Sequence, residues 1–243
     1  MPQPKISSTA LLRGTALASL LLTLIFSSVG VEIASAATKS PEQLVQVAMG
    51  NAGQRKFVVI NMSGTNAEGN YRDVWRANPN SGSLVESVVH PGATGHIYVT
   101  VLDRVVYEKI DTAQWAYAGL GAKYKAYENR WFVVPKSSSS YKSYLQQLIV
   151  YGALLIPLND TQFTIQTSTK LHGVKVTGLE GALTGSNPAI PVTLYVSKAK
   201  HSVPLEISVE RTAKNKENVW TATFAYRANA SPIVKPTTSL VFP

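Results

Sequence analysis

The chain contains no cysteine, which excludes several classes of protein. A disulfide framework, a thiolate metal site, a cysteine nucleophile and a lipid-modified amino-terminal cysteine all require that residue. Histidine is scarce, with four copies. His90 and His96 flank a Pro-Gly turn and could form a metal-ligating pair, but they have no third ligand nearby in the sequence. We therefore expect the histidines to be solvated turn residues.

Recognisable catalytic motifs are also missing. The sequence has no G-x-S-x-G turn, no H-E-x-x-H and no glycine-rich phosphate loop. Most carboxylates lie close to a basic residue, as Asp73 follows Arg72 and Glu210 precedes Arg211, which predicts solvated faces. We therefore expect a protein that is not an enzyme and holds no cofactor or metal. The alternative is an unrecognised enzyme whose triad assembles only in space, since triads are defined by geometry.

The longest apolar run lies near the amino terminus. Lys5 and Arg13 precede an apolar segment at 14–26, and Ala34-Ser35-Ala36 is a small-x-small cleavage signal. This pattern predicts a secretory signal peptide over residues 1–36, with a product that is exported and soluble after cleavage. The alternative is a retained membrane anchor, for which the run falls short of the roughly 20 residues needed to span a bilayer.

Basic residues outnumber acidic ones, 23 to 14. The totals include Lys5, Arg13 and Glu32 of the predicted signal peptide, so the remaining chain has a net charge of +8. Such a surface favours anionic partners, and outside the cytoplasm an anionic membrane surface is the obvious one. The basic residues are dispersed rather than clustered, so we expect no binding to nucleic acid.

Residues 37–243 are predicted to form one domain. Ser40, Pro41 and Gln43 make a capping box that starts a short helix. About six strands follow, with a hairpin turn at Asp103-Arg104 and a strand pair or irregular strand over 124–134. A second helix is predicted at Tyr141–Ile156, ended by Pro157.

About five more strands follow the second helix. Their limits are predicted at 163–169 and 171–183, and then in a three-stranded meander over 191–226, where apolar and polar residues alternate. The chain ends in Leu240-Val241-Phe242, an apolar segment that could pair on a sheet edge. A sheet of this length must curl or close, and the two helices would line its concave side.

A helix directly after the predicted signal peptide leads into a strand meander, which is followed by Trp131-Phe132-Val133-Val134-Pro135 and a serine-rich step into a helix. Two later segments continue this order, Leu171 to Val176 running into Gly181 to Gly185, and Leu194 to Ser197 turning back through Val203-Pro204-Leu205. Taken in this order, these features resemble the LolA/LppX-like superfamily of exported lipid and lipoprotein carriers.

The resemblance implies an α+β fold in which an open, strongly curved antiparallel half-barrel of about 11 strands has helices covering its concave face. It also implies an apolar cavity that binds acyl chains without chemistry. Members of the family carry no shared signature of ligand residues, and many relatives have the lipid-modified cysteine that is absent here. We therefore expect a monomer that moves freely after export.

The candidate cavity lining consists of large apolar residues that are predicted to face the concave side. They are Trp75, Val99, Trp115, Leu145, Leu148, Leu155, Trp220 and Phe224. The alternative for each of them is ordinary core packing, because aromatic and aliphatic side chains are often simply buried. The sequence thus predicts a carrier of lipid-like molecules. The alternative function for the same fold is that of an envelope sensor or interaction module that binds a membrane protein.

Overall fold

A computed structural model describes residues 39–66, 69–148, 161–183, 190–210, 219–228, 232–237 and 240–243. The predicted signal peptide lies outside these residues, and so does the predicted helical segment beyond Leu148. Eleven strands form one sheet: β1 (Val58–Asn66), β2 (Gly69–Ala77), β3 (Gly82–His90), β4 (Ala93–Leu102), β5 (Val105–Ile110), β6 (Phe132–Val133), β7 (Thr161–Leu171), β8 (Val174–Leu183), β9 (Pro191–Ser197), β10 (Pro204–Val209) and β11 (Val219–Tyr226).

The strand order is β6-β5-β4-β3-β2-β1-β11-β10-β9-β8-β7, with every ladder between these strands antiparallel. Pairing of β1 with β11 joins an amino-terminal half of six strands to a carboxy-terminal half of five. β6 and β7 lie at opposite edges, so the sheet of described strands is open. The predicted half-barrel of about 11 strands is confirmed.

Within the described ranges, three α-helices accompany the sheet: α1 (Pro41–Gly53), α2 (Thr112–Tyr117) and α3 (Ser139–Gln147), with a 3-10 helix at Ala122–Tyr127. The capping box predicted for α1 is present, because the Gln43 amide donates to the Ser40 hydroxyl at 3.3 Å and the Ser40 amide donates to Gln43 Oε1 at 3.0 Å. Among the described residues, no helix combines the length and apolarity that a membrane crossing requires.

Alternate residues of each strand point to one face of the sheet, which we call the inner face. In β9 every second residue is buried along the whole strand, and in β2 the same alternation of buried residues runs from Asp73 to Ala77. One continuous apolar core covers this face and includes Ala48, Met49 and Ala52 of α1. The helices therefore lie on the inner face, as the half-barrel arrangement requires.

Turn residues with positive φ fix two hairpins. Asp103 and Arg104 have φ of 50° and 60°, which confirms the predicted turn between β4 and β5. The strand predicted to begin at Leu171 is displaced, because His172 and Gly173 take positive φ and form a turn before Val174. The sequence pattern missed this turn since a histidine at positive φ is uncommon.

The prediction of strand structure over 124–134 is mostly wrong. Residues 122–127 form the 3-10 helix, and only the two residues of β6 are extended. A spacing of three places Tyr124 and Tyr127 on one side of that helix, where both rings contact Phe242. The carboxy-terminal segment does pair on the sheet edge as predicted, because Val241 forms a parallel bridge with Val133.

Candidate functional site

The apolar core of the inner face contains most of the predicted lining residues. Trp75, Val99, Trp115, Leu148 and Phe224 are buried in a single cluster, and Leu145 and Trp220 are half-buried against it. Leu155 lies outside the described residues. The fold therefore brings these predicted residues together from β2, β4, α2, α3 and β11.

A glycine on β3 allows the chain at the end of helix α3 to lie directly against the inner face. Gly82 begins β3 on that face, and a Cβ atom built there would collide with the Leu148 carbonyl and side chain. Leu148 leaves the helical conformation, with φ −92° and ψ 24°. Helix α3 ends at Gln147, where the chain lies directly against β3. The part of the predicted helix beyond Leu148 lies outside the described residues.

Replacing Gly82 with alanine should destabilise the protein by about 1 to 3 kcal/mol, the usual cost of inserting a methyl group into packed structure. The new methyl group would push Leu148 away from β3. Gly121→Ala is the matched control, because a Cβ there meets nothing within 4 Å and its φ is an ordinary −69°. Chemical denaturation gives the free energy of unfolding of both variants. Equal values for the two would contradict the close contact between Gly82 and Leu148.

Helix α2 covers the end of the inner face near the β3–β4 turn, and the sequence missed it. Gln114 of α2 lies directly over Gly95 of β4, and its side chain pairs with His90 Nε2 at 2.7 Å. His90 also stacks on Tyr117 with ring centroids 3.5 Å apart. The prediction of a solvated His90 is therefore wrong, because this histidine is buried in the contact between α2 and β3.

His96 binds a different part of α2. Its Nδ1 lies 2.8 Å from Asp111 Oδ2, while Asp111 Oδ1 accepts a hydrogen bond from the Gln114 amide and so caps the helix. Burial alone would raise the pKa of Asp111. The hydrogen bonds from the Gln114 amide and from His96 outweigh burial, so the pKa of Asp111 lies below its usual value. Both histidines of the predicted pair thus hold α2 on the sheet, and no group of metal-ligating residues occurs in the described chain.

Two carboxyl groups are buried in the apolar inner face, which contradicts the prediction that the carboxylates are solvated. Asp73 of β2 and Glu108 of β5 are 3% and 2% exposed. Burial, and then the nearby charge of Glu86, raise the pKa of Glu108 to about 8. Burial and Glu86, its cross-strand partner in β3, likewise raise the pKa of Asp73 to about 8, with the Trp75 indole N–H lowering it slightly.

Two tyrosines complete this polar group. Burial raises the pKa of Tyr144 of α3 well above its usual value, and the charges of Glu108, Glu86 and Asp73 raise it further. The pKa of Tyr71 is raised in the same way, by burial and then by Asp73 and Glu86. We call Asp73, Glu86 and Glu108 the acidic cluster. Asp73 and Glu86 are cross-strand partners on β2 and β3, and Glu108 lies on β5.

A signal for the acidic cluster was present in the sequence. Asp73 alternates in step with Tyr71 and Trp75, and Glu108 lies between Val106 and Ile110 in the same two-residue period. A carboxylate that occupies an apolar position of an alternating strand must face the core. Proximity to a basic residue in the sequence was the wrong criterion, because neighbours in a strand point to opposite faces.

A separate depression of about 580 Å³ lies on the outer face, across β7, β8 and β9. Its wall includes Glu180, Thr193 and Tyr195, and Glu210 accepts a hydrogen bond from the Thr193 hydroxyl at 3.2 Å. The polar wall and the position on the outer face separate this depression from the apolar cluster.

No protein-family model and no curated protein matches the sequence. Solved structures align with the chain over most of its length. LprF from Mycobacterium bovis aligns with a TM-score of 0.48 and 11% identity over 82% of this chain and 97% of its own. An uncharacterized conserved protein from Thermus thermophilus gives 0.44 and 12% over 83% and 97%. A LolA superfamily protein from Nitrosomonas europaea gives 0.29 and 9% over 82% and 99%.

These similarities are too low to carry an argument about function, which has to come from the chain's own residues. The architecture is a separate matter, because it is read directly from the strand order and from the helices packed on the inner face. On that basis the chain forms an open antiparallel half-barrel with helices on its inner face, as the sequence predicts.

Proposed function

We propose that the chain is an exported, non-enzymatic carrier that holds a lipid or another acylated molecule against the inner face. In this proposal residues 1–36 are removed as a signal peptide, and residues 37–243 act as a single monomeric carrier domain. The net charge of +8 outside the signal peptide would favour approach to anionic membrane surfaces.

One observation carries the proposal: the apolar inner face of an open sheet is covered by short helices rather than by a second sheet. The described helices have 13, 6 and 9 residues, and helices of this length depend on packing for their stability. Such a cover can shift without unfolding the sheet. An acyl chain would then make the contacts with the apolar side chains of the inner face that the helices make in the described structure.

The half-buried residues mark where a ligand would extend. Leu145 of α3 and Trp220 of β11 border the buried cluster and keep part of their surface exposed. Each buried methylene contributes about 0.8 kcal/mol, so roughly ten of them reach the 8.2 kcal/mol that corresponds to micromolar affinity. Binding of that strength needs no hydrogen-bonding motif, which agrees with the absence of one in the sequence.

Substituting Leu145 with tryptophan should weaken binding of a fluorescent fatty acid by about tenfold or more, because the indole fills space that the acyl chain needs. Folding should change little, since the position is only half-buried. The control is Gln146→Trp, which places the same side chain on the exposed side of α3. Displacement titrations and thermal melts of both variants test the proposal.

A wild-type protein that binds no fatty-acid probe would contradict the carrier. The apolar cluster would then be an ordinary core, and the interaction module would become the better account of the fold. Equal affinities of the two tryptophan variants would show that the ligand does not contact α3.

A further inference from the structure

The inner face ends in a row of lysines on three neighbouring strands. Lys170 of β7 and Lys175 of β8 are direct cross-strand partners. Val176 pairs with Ser197, so Lys175 and Lys198 are the next residues outward on β8 and β9. We call Lys170, Lys175 and Lys198 the lysine row.

All three lysines are on the inner side of the sheet. Alternation along β8 places Lys175 on the same face as Leu179, which is buried in the apolar core. Its partner Lys170 lies on that face too. The Lys198 ammonium donates a hydrogen bond to the Ser168 hydroxyl, and Ser168 shares the face of Lys170 because it lies two residues earlier in β7. The apolar inner face therefore ends in three positive charges.

The charge of the lysine row is not balanced within the described chain. All three side chains are exposed, and none of them forms an ion pair with a carboxylate in the described ranges. Like charges directly opposite each other destabilise a sheet. An ammonium group has three donors, so Lys198 keeps two after its bond to Ser168. An anion placed between these ammonium groups would relieve their repulsion and use the remaining donors.

A lysine at a sheet edge can also serve to prevent pairing with another chain. This role accounts for Lys170, because β7 is an edge of the sheet of described strands. It does not account for Lys175 and Lys198, since β8 lies inside that edge and Lys198 directly follows β9. The row as a whole therefore has a different role.

The lysine row and the apolar inner face are within reach of a single amphiphile. Val192 of β9 pairs with Val209, which in turn pairs with the half-buried Trp220. Lys198 lies six residues beyond Val192, about 20 Å at the rise of a strand. The inner-face side chains of β9 over this distance are apolar and buried. A chain lying on them would place its head at the lysine row.

We propose that the lysine row binds the anionic head, a carboxylate or a phosphate, of an amphiphile whose chain lies on the inner face. This inference rests on the proposed carrier function and names the class of molecule that is carried. The oxygens of such a head accept charge-assisted hydrogen bonds from several ammonium groups at once. Cross-strand partners have Cβ atoms about 5 Å apart, so neighbouring lysines can converge on one head.

Three dodecyl compounds of equal chain length separate the head group from the chain: dodecanoate, dodecyl phosphate and dodecanol. Each would displace Nile red from the exported protein at pH 8. The two anions should act at concentrations about tenfold or more below that of dodecanol. This difference should shrink as salt rises from roughly 0.02 M to roughly 0.5 M, because the lysines are exposed. Inorganic phosphate alone should displace nothing, since it has no chain to occupy the apolar face.

Lys175→Gln combined with Lys198→Gln should lower the affinity for both anions to that for dodecanol. The affinity for dodecanol itself should stay unchanged, which shows that the variant is folded. The matched control is Lys123→Gln combined with Arg130→Gln, which removes the same charge from exposed positions between α2 and β6. The control should keep the preference for the anions.

Equal displacement by the anions and the alcohol, or a preference that survives in the lysine-row variant, would overturn the anionic-head site while the carrier stands. A preference that the control loses to the same extent would assign it to net charge and also overturn the site. If the lysine-row variant associates and keeps its preference, the lysines protect the sheet edge instead. If neither Nile red nor any dodecyl compound binds, the carrier and the anionic-head site are both wrong.

Discussion

Replacing Glu108 with glutamine is expected to stabilise the protein strongly at pH 9 and only slightly at pH 5. Glu108 is fully buried in the inner face, and its pKa rises from 4.5 to about 8. Between these two values the folded protein keeps a proton that the unfolded chain has lost. The stability of the wild type therefore falls as the pH rises through this window, and the penalty is complete above pH 8.

The size of the effect follows from the shift, at about 1.4 kcal/mol for each pKa unit. We expect Glu108→Gln to gain about 2 to 5 kcal/mol at pH 9 relative to its effect at pH 5. Comparing the two pH values cancels any packing difference between glutamine and the neutral acid. The measurement is the free energy of unfolding in urea for wild type and variant at both values.

Glu180→Gln provides the control for this experiment, because it removes an exposed carboxylate and should change stability by no more than about 0.5 kcal/mol at either pH. An effect of Glu108→Gln that is the same at pH 5 and pH 9 would mean that the carboxyl group is not buried as described. Asp73→Asn should behave like Glu108→Gln, because the pKa of Asp73 is raised by the same causes.

The second large effect is expected at Leu148. Replacing it with alanine should lower the free energy of unfolding by about 2 to 5 kcal/mol. The side chain is 0% exposed and belongs to the apolar cluster, and its backbone is fixed against Gly82. Truncation would leave a cavity that the surrounding strands cannot close. For a chain of this size, the melting temperature should fall by about 5 to 15 °C.

Leu145→Ala is the matched comparison, since it removes the same atoms from a half-buried position one helical turn earlier. It should cost less stability and affect ligand binding more, if Leu148 anchors α3 and Leu145 borders the ligand. Equal losses of stability for the two variants would contradict this division of roles along α3.

Much of the sheet could be predicted from alternation alone. Strands β9, β10 and β11 lie within the meander predicted over 191–226, where apolar and polar residues alternate, and β4 and β5 meet at the predicted turn. The start of α1 was also predictable, because a capping box is a local signal carried by Ser40 and Gln43. These features depend on residues that are close together in the sequence.

The errors arise where distant contacts decide the structure. Helix α2 has six residues, too few to show a period, although Asp111 was a visible N-cap. Helix α3 ends where Leu148 meets Gly82, a contact between residues far apart in the chain. The predicted lining residues within the described chain do lie together, because apolar side chains share the inner face. The acidic cluster was missed because its carboxylates were judged by their neighbours in the sequence rather than by the face of the strand on which they lie.

Native mass spectrometry of the protein purified from its own cell envelope tests the carrier function most directly. We predict a population heavier than the polypeptide by the mass of a lipid, and extraction with organic solvent should convert it to the bare chain. Tandem fragmentation of the released molecule would identify its chemical class. A protein recovered only as the bare polypeptide, which also fails to take up added lipid, would contradict the central claim.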